Sequence, residues 1–242
     1  VNSVVELFQA RRRLENRVVE QDNELLEKTQ KILTLNQGMI ETLSTAIEFR
    51  NSESGGHVTR IHDITAILLS ETNFCPDLSE EEVENIALAS VMHDVGKIAI
   101  PDHILNKPGR LTPEEFEIIK THTIQGALLL ERIPQLRENS SYQYAWDIAR
   151  HHHERWDGKG YPDGLKGDEI SPWAQVVSIA DVYDALSCKR VYKDAFPREQ
   201  VVEMIRNGQC GIFNPKLLDC FFSIEGRLAA LYNKNHFCWE SR

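Results

Sequence analysis

The chain has 242 residues, 41% hydrophobic and 26% charged, which is enough for one sizeable core and too apolar for a disordered tail. Lys and Arg number 27 against 37 Asp and Glu, a formal charge of -10 that repels a polyanion, so no nucleic-acid partner is expected. No apolar run approaches the roughly 20 residues that cross a bilayer, and the opening VNSVVELFQARRR lacks a signal-peptide stretch, so no membrane partner and a cytoplasmic location are expected.

From Asn2 to about Glu48 there is no Pro and one Gly, Gly38, among many Glu, Gln, Leu, Lys and Arg residues, so one long helix is expected. Apolar pairs recur every seventh position: Val18 with Val19, Leu25 with Leu26, Ile32 with Leu33, Met39 with Ile40, and Ala46 with Ile47. A repeat of seven is slightly shorter than two natural turns, so the stripe holds one face only if helices supercoil. A parallel homodimer through this helix is therefore expected. Gln21, Asp22, Lys28, Thr29 and Asn36 weaken such a zipper, and packing of the helix on its own domain is the competing outcome. Because the sequence opens in uncapped helical character, a domain upstream is expected, with residues 1–42 as its connector.

Gly55 and Gly56 break the pattern, and a second helix follows with His57, Ile61, Ile64 and Leu68 on one face. Ser79 and Glu82 form a capping box for a helix bearing Val83, Ile86, Ala87 and Val91, expected to run into His93 and Asp94 and to stop at Gly96. The stretch IAIPDHILNKPGRL reads as a loop from its Pro and Gly. Thr112, Pro113 and Glu115 open another helix, in which Ile118, His122, Gly126 and Leu129 share a face. A further helix from Tyr142 to His153 carries His152 and His153 one turn beyond Ile148 and Ala149. The loop ERWDGKGYPDGLKGDEIS is too long to be only a connection, and Ser171 with Pro172 then starts a helix in which Ala174, Val177, Asp181 and Ala185 align. No alternation of strands and helices is present, so the fold class is all-α. The five cysteines, Cys75, Cys188, Cys210, Cys220 and Cys238, are odd in number with no Cys-x-x-Cys pair and read as buried thiols.

A single inward histidine is more often a hydrogen-bonded core residue than a ligand. Here His57, His93, His122, His152 and His153, with Asp94 and Asp181, all fall on inner faces or at the helix ends beside them. Burying so many titratable groups without a cation costs on the order of several kcal/mol each in desolvation. A nitrogen and oxygen set without Cys suits Mn, Fe or Zn, and two or three ions bridged by Asp94 fit an in-line displacement at phosphorus. Lys97 in HDVGK is placed to hold a phosphate oxygen. Arg190 and Lys193 in CKRVYKD could grip another, although a cationic helix end explains them equally. Trp156, Tyr161 and Tyr192 are candidates for stacking on bases, Asp184 for support or surface, His151 for a solvated neighbour, and His62, His103 and His236 for the surface.

The motifs ESGGH (from Glu53), HDVGKIAIPDHIL (from His93), KPGRLTPEE (from Lys107), HHERWDGKGYPDGL (from His152) and SIADVYDAL (from Ser178) resemble the HD-GYP branch of the HD phosphohydrolase superfamily between about Leu43 and Phe222. The resemblance implies an HD-domain helical bundle over 43–225 behind the coiled-coil helix, with 226–242 a tail helix or extension. It implies a cyclic di-GMP phosphodiesterase with two or three divalent ions, iron or manganese, giving pGpG and then GMP. By it His57, His93, Asp94, His122, His152, His153 and Asp181 are metal ligands, and Glu53 matches a carboxylate that completes a third site. Asp94 and Lys97 would be catalytic, Lys97, Arg190 and Lys193 would contact phosphate, and Tyr161 would bind substrate in the Gly160-Tyr161-Pro162 loop. A weakly catalytic cyclic di-GMP receptor or scaffold, and a hydrolase of another cyclic dinucleotide, are the alternatives. Asn51 and Ser52 stand where relatives often have Asp and Pro, and Asn214 where Asp is frequent. The opening helix is similar to the end of a response-regulator receiver domain running into a connector.

Overall fold

The computed structural model describes residues 2–50, 56–133, 140–188 and 195–233. Its first helix, α1, covers Asn2–Arg50, as the absence of Pro and the helix-forming composition require. The chain divides into two compact units, Val1–Ile40 and Glu41–Arg242. Within the first, Arg11 pairs with Glu15 at 2.7 Å and Lys28 with Glu24 at 2.6 Å, one turn apart on the solvent side. The paired residues Val18, Val19, Leu25, Leu26, Ile32 and Leu33 leave 52–69% of their surface open, so the apolar stripe covers nothing within this unit.

In the second unit the stripe does not continue as the heptads imply. Ser44 and Glu48, one turn apart, are the buried residues of the last turns of α1, while Ala46 is exposed. The body follows as α2 (His57–Glu71), α3 (Glu80–Ser90), a 3-10 turn (Val95–Ala99), α4 (Asp102–Leu105), α5 (Pro113–Glu131), α6 (Ser140–His151), α7 (Pro172–Ser187), α8 (Arg198–Arg206) and α9 (Pro215–Asn233). Among the described residues there is no strand, only an isolated bridge between Asp157 and Lys166, and the all-α expectation holds. None of the described helices is long and apolar enough to cross a membrane.

The helix starts follow the caps. Ser79 and Thr112 each accept from the amide three residues on, Glu82 and Glu115 return the bond, and Ser171 accepts from Ala174 N. Two helix ends differ from expectation. α3 stops at Ser90, so His93 and Asp94 lie in the turn that leads into the 3-10 segment, and α6 stops at His151, leaving His152 and His153 in the turn beyond. The IAIPDHIL stretch is likewise more ordered than a loop, forming the 3-10 turn and α4.

The core lies between α2, α3, α6 and α7, where Ile61, Ile64, Leu68, Ile86, Ile148 and Ile179 are fully buried. Each such side chain contributes roughly 1.5–3 kcal/mol by leaving water. α3 packs on α6, α5 on α6 and on the 3-10 turn, and α2 on α3 and α7. Leu228, Ala229 and Tyr232 of α9 are buried in the same body. Cys75, Cys210 and Cys220 are half-buried thiols, whereas Cys188 is engaged in a disulfide, which corrects its reading as a thiol.

Candidate metal centre

The imidazoles are oriented by their second nitrogen. Nδ1 of His93 lies 2.8 Å from Ser90 O, that of His122 lies 2.7 Å from Ile119 O, and that of His152 lies 2.9 Å from Ile148 O. A carbonyl only accepts, so each Nδ1 carries the proton and each Nε2 keeps its lone pair. His57 is held by a carboxylate instead, with Nδ1 2.7 Å from Asp184 Oδ2. Asp184 is itself buried and takes Arg60 Nε at 2.5 Å and the Tyr232 hydroxyl at 2.9 Å. These ties fix the rings before any ligand arrives.

The four Nε2 atoms converge on Asp94. His93 Nε2 is 3.2 Å from Asp94 Oδ2, while His122 Nε2 is 3.2 Å and His152 Nε2 4.0 Å from Oδ1. His153 completes this side, its ring centroid 4.1 Å from that of His152 and 5.1 Å from that of His122. Two donor groups result: Asp94, His122, His152 and His153 on one side, His57, His93 and Asp94 on the other, the donors of each within 4.8 Å of one another. Asp181 stands at the edge of the second group, with Oδ1 3.8 Å from His57 Nε2. Lys97 is also in the site, its Nζ 2.6 Å from Asp94 Oδ2. Tyr161 lies at the rim, with its ring 4.8 Å from that of His153. Glu53, Arg190 and Lys193, and with them Tyr192 and His236, fall outside the described residues.

The residues present fit divalent cations. His57 Nε2, His93 Nε2 and Asp94 Oδ1 are buried without a hydrogen-bond partner, and the Nε2 atoms of His122 and His152, both acceptors, face each other at 3.5 Å. Facing lone pairs with no proton between them repel, and a cation removes the conflict. Burial holds His122 below the ordinary imidazole value, pushes His152 down to about 3 and, with the neighbouring His152, drives His153 well down. That side therefore presents neutral ligands at neutral pH. On the other side burial opposes protonation of His57, but the Asp184, Glu48 and Asp181 carboxylates raise it to about 9. An ion entering there displaces a proton. Against the penalty of burial, Lys97, His93 and His122 keep the Asp94 carboxyl well below its usual range.

The turns that carry these groups need two glycines. A Cβ on Gly96 would stand 1.9 Å from His122 O and 2.4 Å from Gly126 N, so only Gly lets the His93-Asp94 turn press against α5. A Cβ on Gly160 would meet the backbone of Glu154 and Arg155 at 2.4 Å, and the buried Glu154 accepts from the amides of Asp163 and Gly164, binding the loop back onto the end of α6.

Some readings change. His151 is not a solvated neighbour: it is buried, bridging Asp147 at 2.5 Å and Asp163 at 3.0 Å, and so straps the loop to α6. His62 is half-buried between Asp63 and Glu84, while His103 is exposed as expected. Glu48 was missed. It is buried with Oε1 3.7 Å from His57 Nε2, but in sequence it belongs to the heptad helix. Arg60, one turn beyond His57, was the available signal for a buried carboxylate partner such as Asp184.

Residues 41–217 match the family model described as HD domain. This chain belongs to the HD-domain family. The resemblance carried by its HD and GYP motifs therefore holds. A probable cyclic di-GMP phosphodiesterase of Vibrio cholerae is 37% identical over 206 residues, which is 83% of this chain and 47% of that protein. A 3'3'-cGAMP-specific phosphodiesterase of the same organism is 40% identical over 181 residues, 75% of this chain and 33% of that one. The chain thus spans half or less of the length of these relatives. The crystal structure of a cyclic GMP-AMP specific phosphodiesterase from V. cholerae superposes with a TM-score of 0.57 at 18% identity, covering 80% of this chain and 50% of that chain, a likeness of fold.

Proposed function

We propose that this HD domain is a metal-dependent phosphodiesterase that hydrolyses cyclic di-GMP to linear pGpG, with a second cut to GMP. The observation that carries this reading is the set of Nε2 atoms of His57, His93, His122 and His152, each ring fixed through its Nδ1, around a carboxylate whose two oxygens face different groups. A receptor has no need of such a set. Asp94, His122, His152 and His153 would hold one ion, His57, His93, Asp94 and Asp181 another, and Glu53 a third, with iron or manganese suited to the mixed donors. When bound, such ions supply positive charge to nonbridging phosphate oxygens and make water nucleophilic near neutral pH.

The chain's own groups do the rest. Asp94 spans both donor groups and keeps them in register, and Asp184 sets the direction of His57. Lys97 offers an ammonium beside Asp94, and Arg190 and Lys193 are proposed as further phosphate contacts. Tyr161 offers a purine a flat rim next to His153, with Phe116 beyond it at 6.3 Å between centroids and Lys120 over both rings. A second reading, another cyclic dinucleotide, is favoured by the relative specific for 3'3'-cGAMP. Turnover of cyclic di-GMP, 3'3'-cGAMP and cyclic di-AMP by manganese- or iron-loaded protein, with products separated by chromatography, tests the proposal. Cleavage of cyclic di-GMP that stops on chelation is expected. Preference for cyclic GMP-AMP selects the second reading, and ligand bound but uncleaved by loaded protein refutes hydrolysis.

The same proposal places the catalytic body over 43–225, with α9 continuing it, and the helix over 1–42 as a connector that dimerises and follows a receiver domain. The uncovered stripe of Val18, Leu25 and Ile32 supports a second copy of the chain as partner. Light scattering should give twice the chain mass, and replacing Leu25 and Ile32 by Lys should halve it. A monomer at all concentrations refutes the zipper. The thiols of Cys75, Cys210 and Cys220 support a cytoplasmic location, which the disulfide at Cys188 opposes.

A further inference from the structure

We infer that Arg50, on the last turn of α1, is a positioning residue for the turn that carries Asp94 and Lys97. Its guanidinium gathers three backbone carbonyls and a carboxylate. Nη1 donates to Lys97 O at 3.3 Å and to Ile98 O at 3.0 Å, Nη2 to Ile100 O at 2.9 Å and to Asp102 Oδ1 at 2.6 Å, and Nε to the same Oδ1 at 3.2 Å. The end of a 3-10 turn directs its last carbonyls outward, Lys97 O already accepting from Ile100 N, and a planar fork of five N–H groups meets several of them at once. Lysine cannot do so, since it offers three donors around a single point. Asp102 is mostly exposed, so the ion pair contributes little, and the carbonyl contacts carry the effect.

The consequence for the site follows from how this turn is held. On one side Gly96 presses against α5 with no room for a Cβ. Within the turn, Lys97 N donates to Asp94 O at 2.9 Å and Ile100 N to Lys97 O at 3.0 Å, so the segment is one rigid piece with Asp94 at its start. Arg50 ties the carbonyls of Lys97, Ile98 and Ile100 to the end of α1. Without it the piece pivots on its contact with α5, and the Asp94 carboxylate loses its register with His57, which belongs to α2. Because Asp94 would serve both ions, the affinity for metal and the rate both depend on Arg50. This rests on the proposed metal-dependent reading, but two of its four tests do not require turnover.

The experiment compares wild type with Arg50→Lys and Arg50→Gln in the full chain. Hydrogen exchange on the metal-free protein should rise at least tenfold at the amides of Lys97 and Ile100, while those of α7 stay as protected as in wild type. Titration with Mn2+ should show tenfold or greater weakening, and kcat at saturating metal should fall roughly tenfold to a hundredfold with KM little changed. Millimolar ethylguanidinium should restore part of kcat to an Arg50→Gly variant. Unchanged Mn2+ affinity in both Arg50→Lys and Arg50→Gln overturns the inference, as does an increase in exchange spread evenly over the body, which marks a general structural role. If wild type binds Mn2+ yet cleaves no cyclic dinucleotide, the proposed function fails, while exchange and titration still decide the part played by Arg50.

Discussion

An Asp94→Asn variant is expected to lose the proposed cyclic dinucleotide hydrolysis by about 1,000-fold or more and to bind fewer ions per chain. The substitution keeps the shape of the side chain and removes its charge. Asp94 Oδ1 faces His122 and Oδ2 faces His93, so one carboxylate balances charge for both donor groups, and an amide offers one oxygen where two are needed. Its NH2 would point hydrogens at one set of lone pairs. Lys97, 2.6 Å away, loses its partner as well, so some loss of stability is expected, and circular dichroism and calorimetry establish that the variant is folded. The measurement is turnover at saturating manganese beside metal analysis of the same sample. Wild-type turnover at wild-type ion content would refute a bridging role for Asp94.

The Gly96→Ala substitution, by contrast, acts on the fold and only through it on the site. A methyl group 1.9 Å from His122 O and 2.4 Å from Gly126 N cannot be accommodated by a side-chain rotation, because both obstacles are backbone. Either α5 moves away, carrying His122, or the turn with Asp94 does. The expected cost is on the order of 4 kcal/mol, a drop in Tm of roughly 8–16 °C for a body of this size. Gly38→Ala is the control, since no atom lies within 4 Å of its added Cβ and the change favours helix by roughly 1 kcal/mol. Differential scanning calorimetry of the three proteins decides the matter, and equal midpoints for wild type and Gly96→Ala would show that the turn is not packed as described.

Much of the molecule was legible because its signals are local. Ser79, Thr112 and Ser171 mark helix starts through bonds that close within three residues, and a 3.6-residue period puts His57 with Ile61 and Ile64. Ends were less legible. The expectation that α3 runs into His93 failed because the bonds that end it at Val91 are made by backbone alone and leave no mark in the residue types, while the turn beyond is held by the packing of Gly96 against α5, a neighbour 26 or more residues away in sequence. His151 was misjudged for the same reason, since its partner Asp163 returns from the far side of a loop.

The amino-acid order alone determined that α1, α2, α3, α5, α6 and α7 form, which of their faces are apolar, and that seven nitrogen and oxygen donors lie on inner faces or beside them, since propensity, capping and periodicity act over a few residues. Only the tertiary structure decided that the donors meet around Asp94, that Nδ1 contacts aim each Nε2 inward, and that Glu48 and Arg50 at the end of α1 reach His57 and the Lys97 turn. The reason is physical: hydrogen bonds of 2.5 to 3.5 Å between distant segments depend on how whole helices pack, and no pattern within a single segment encodes that.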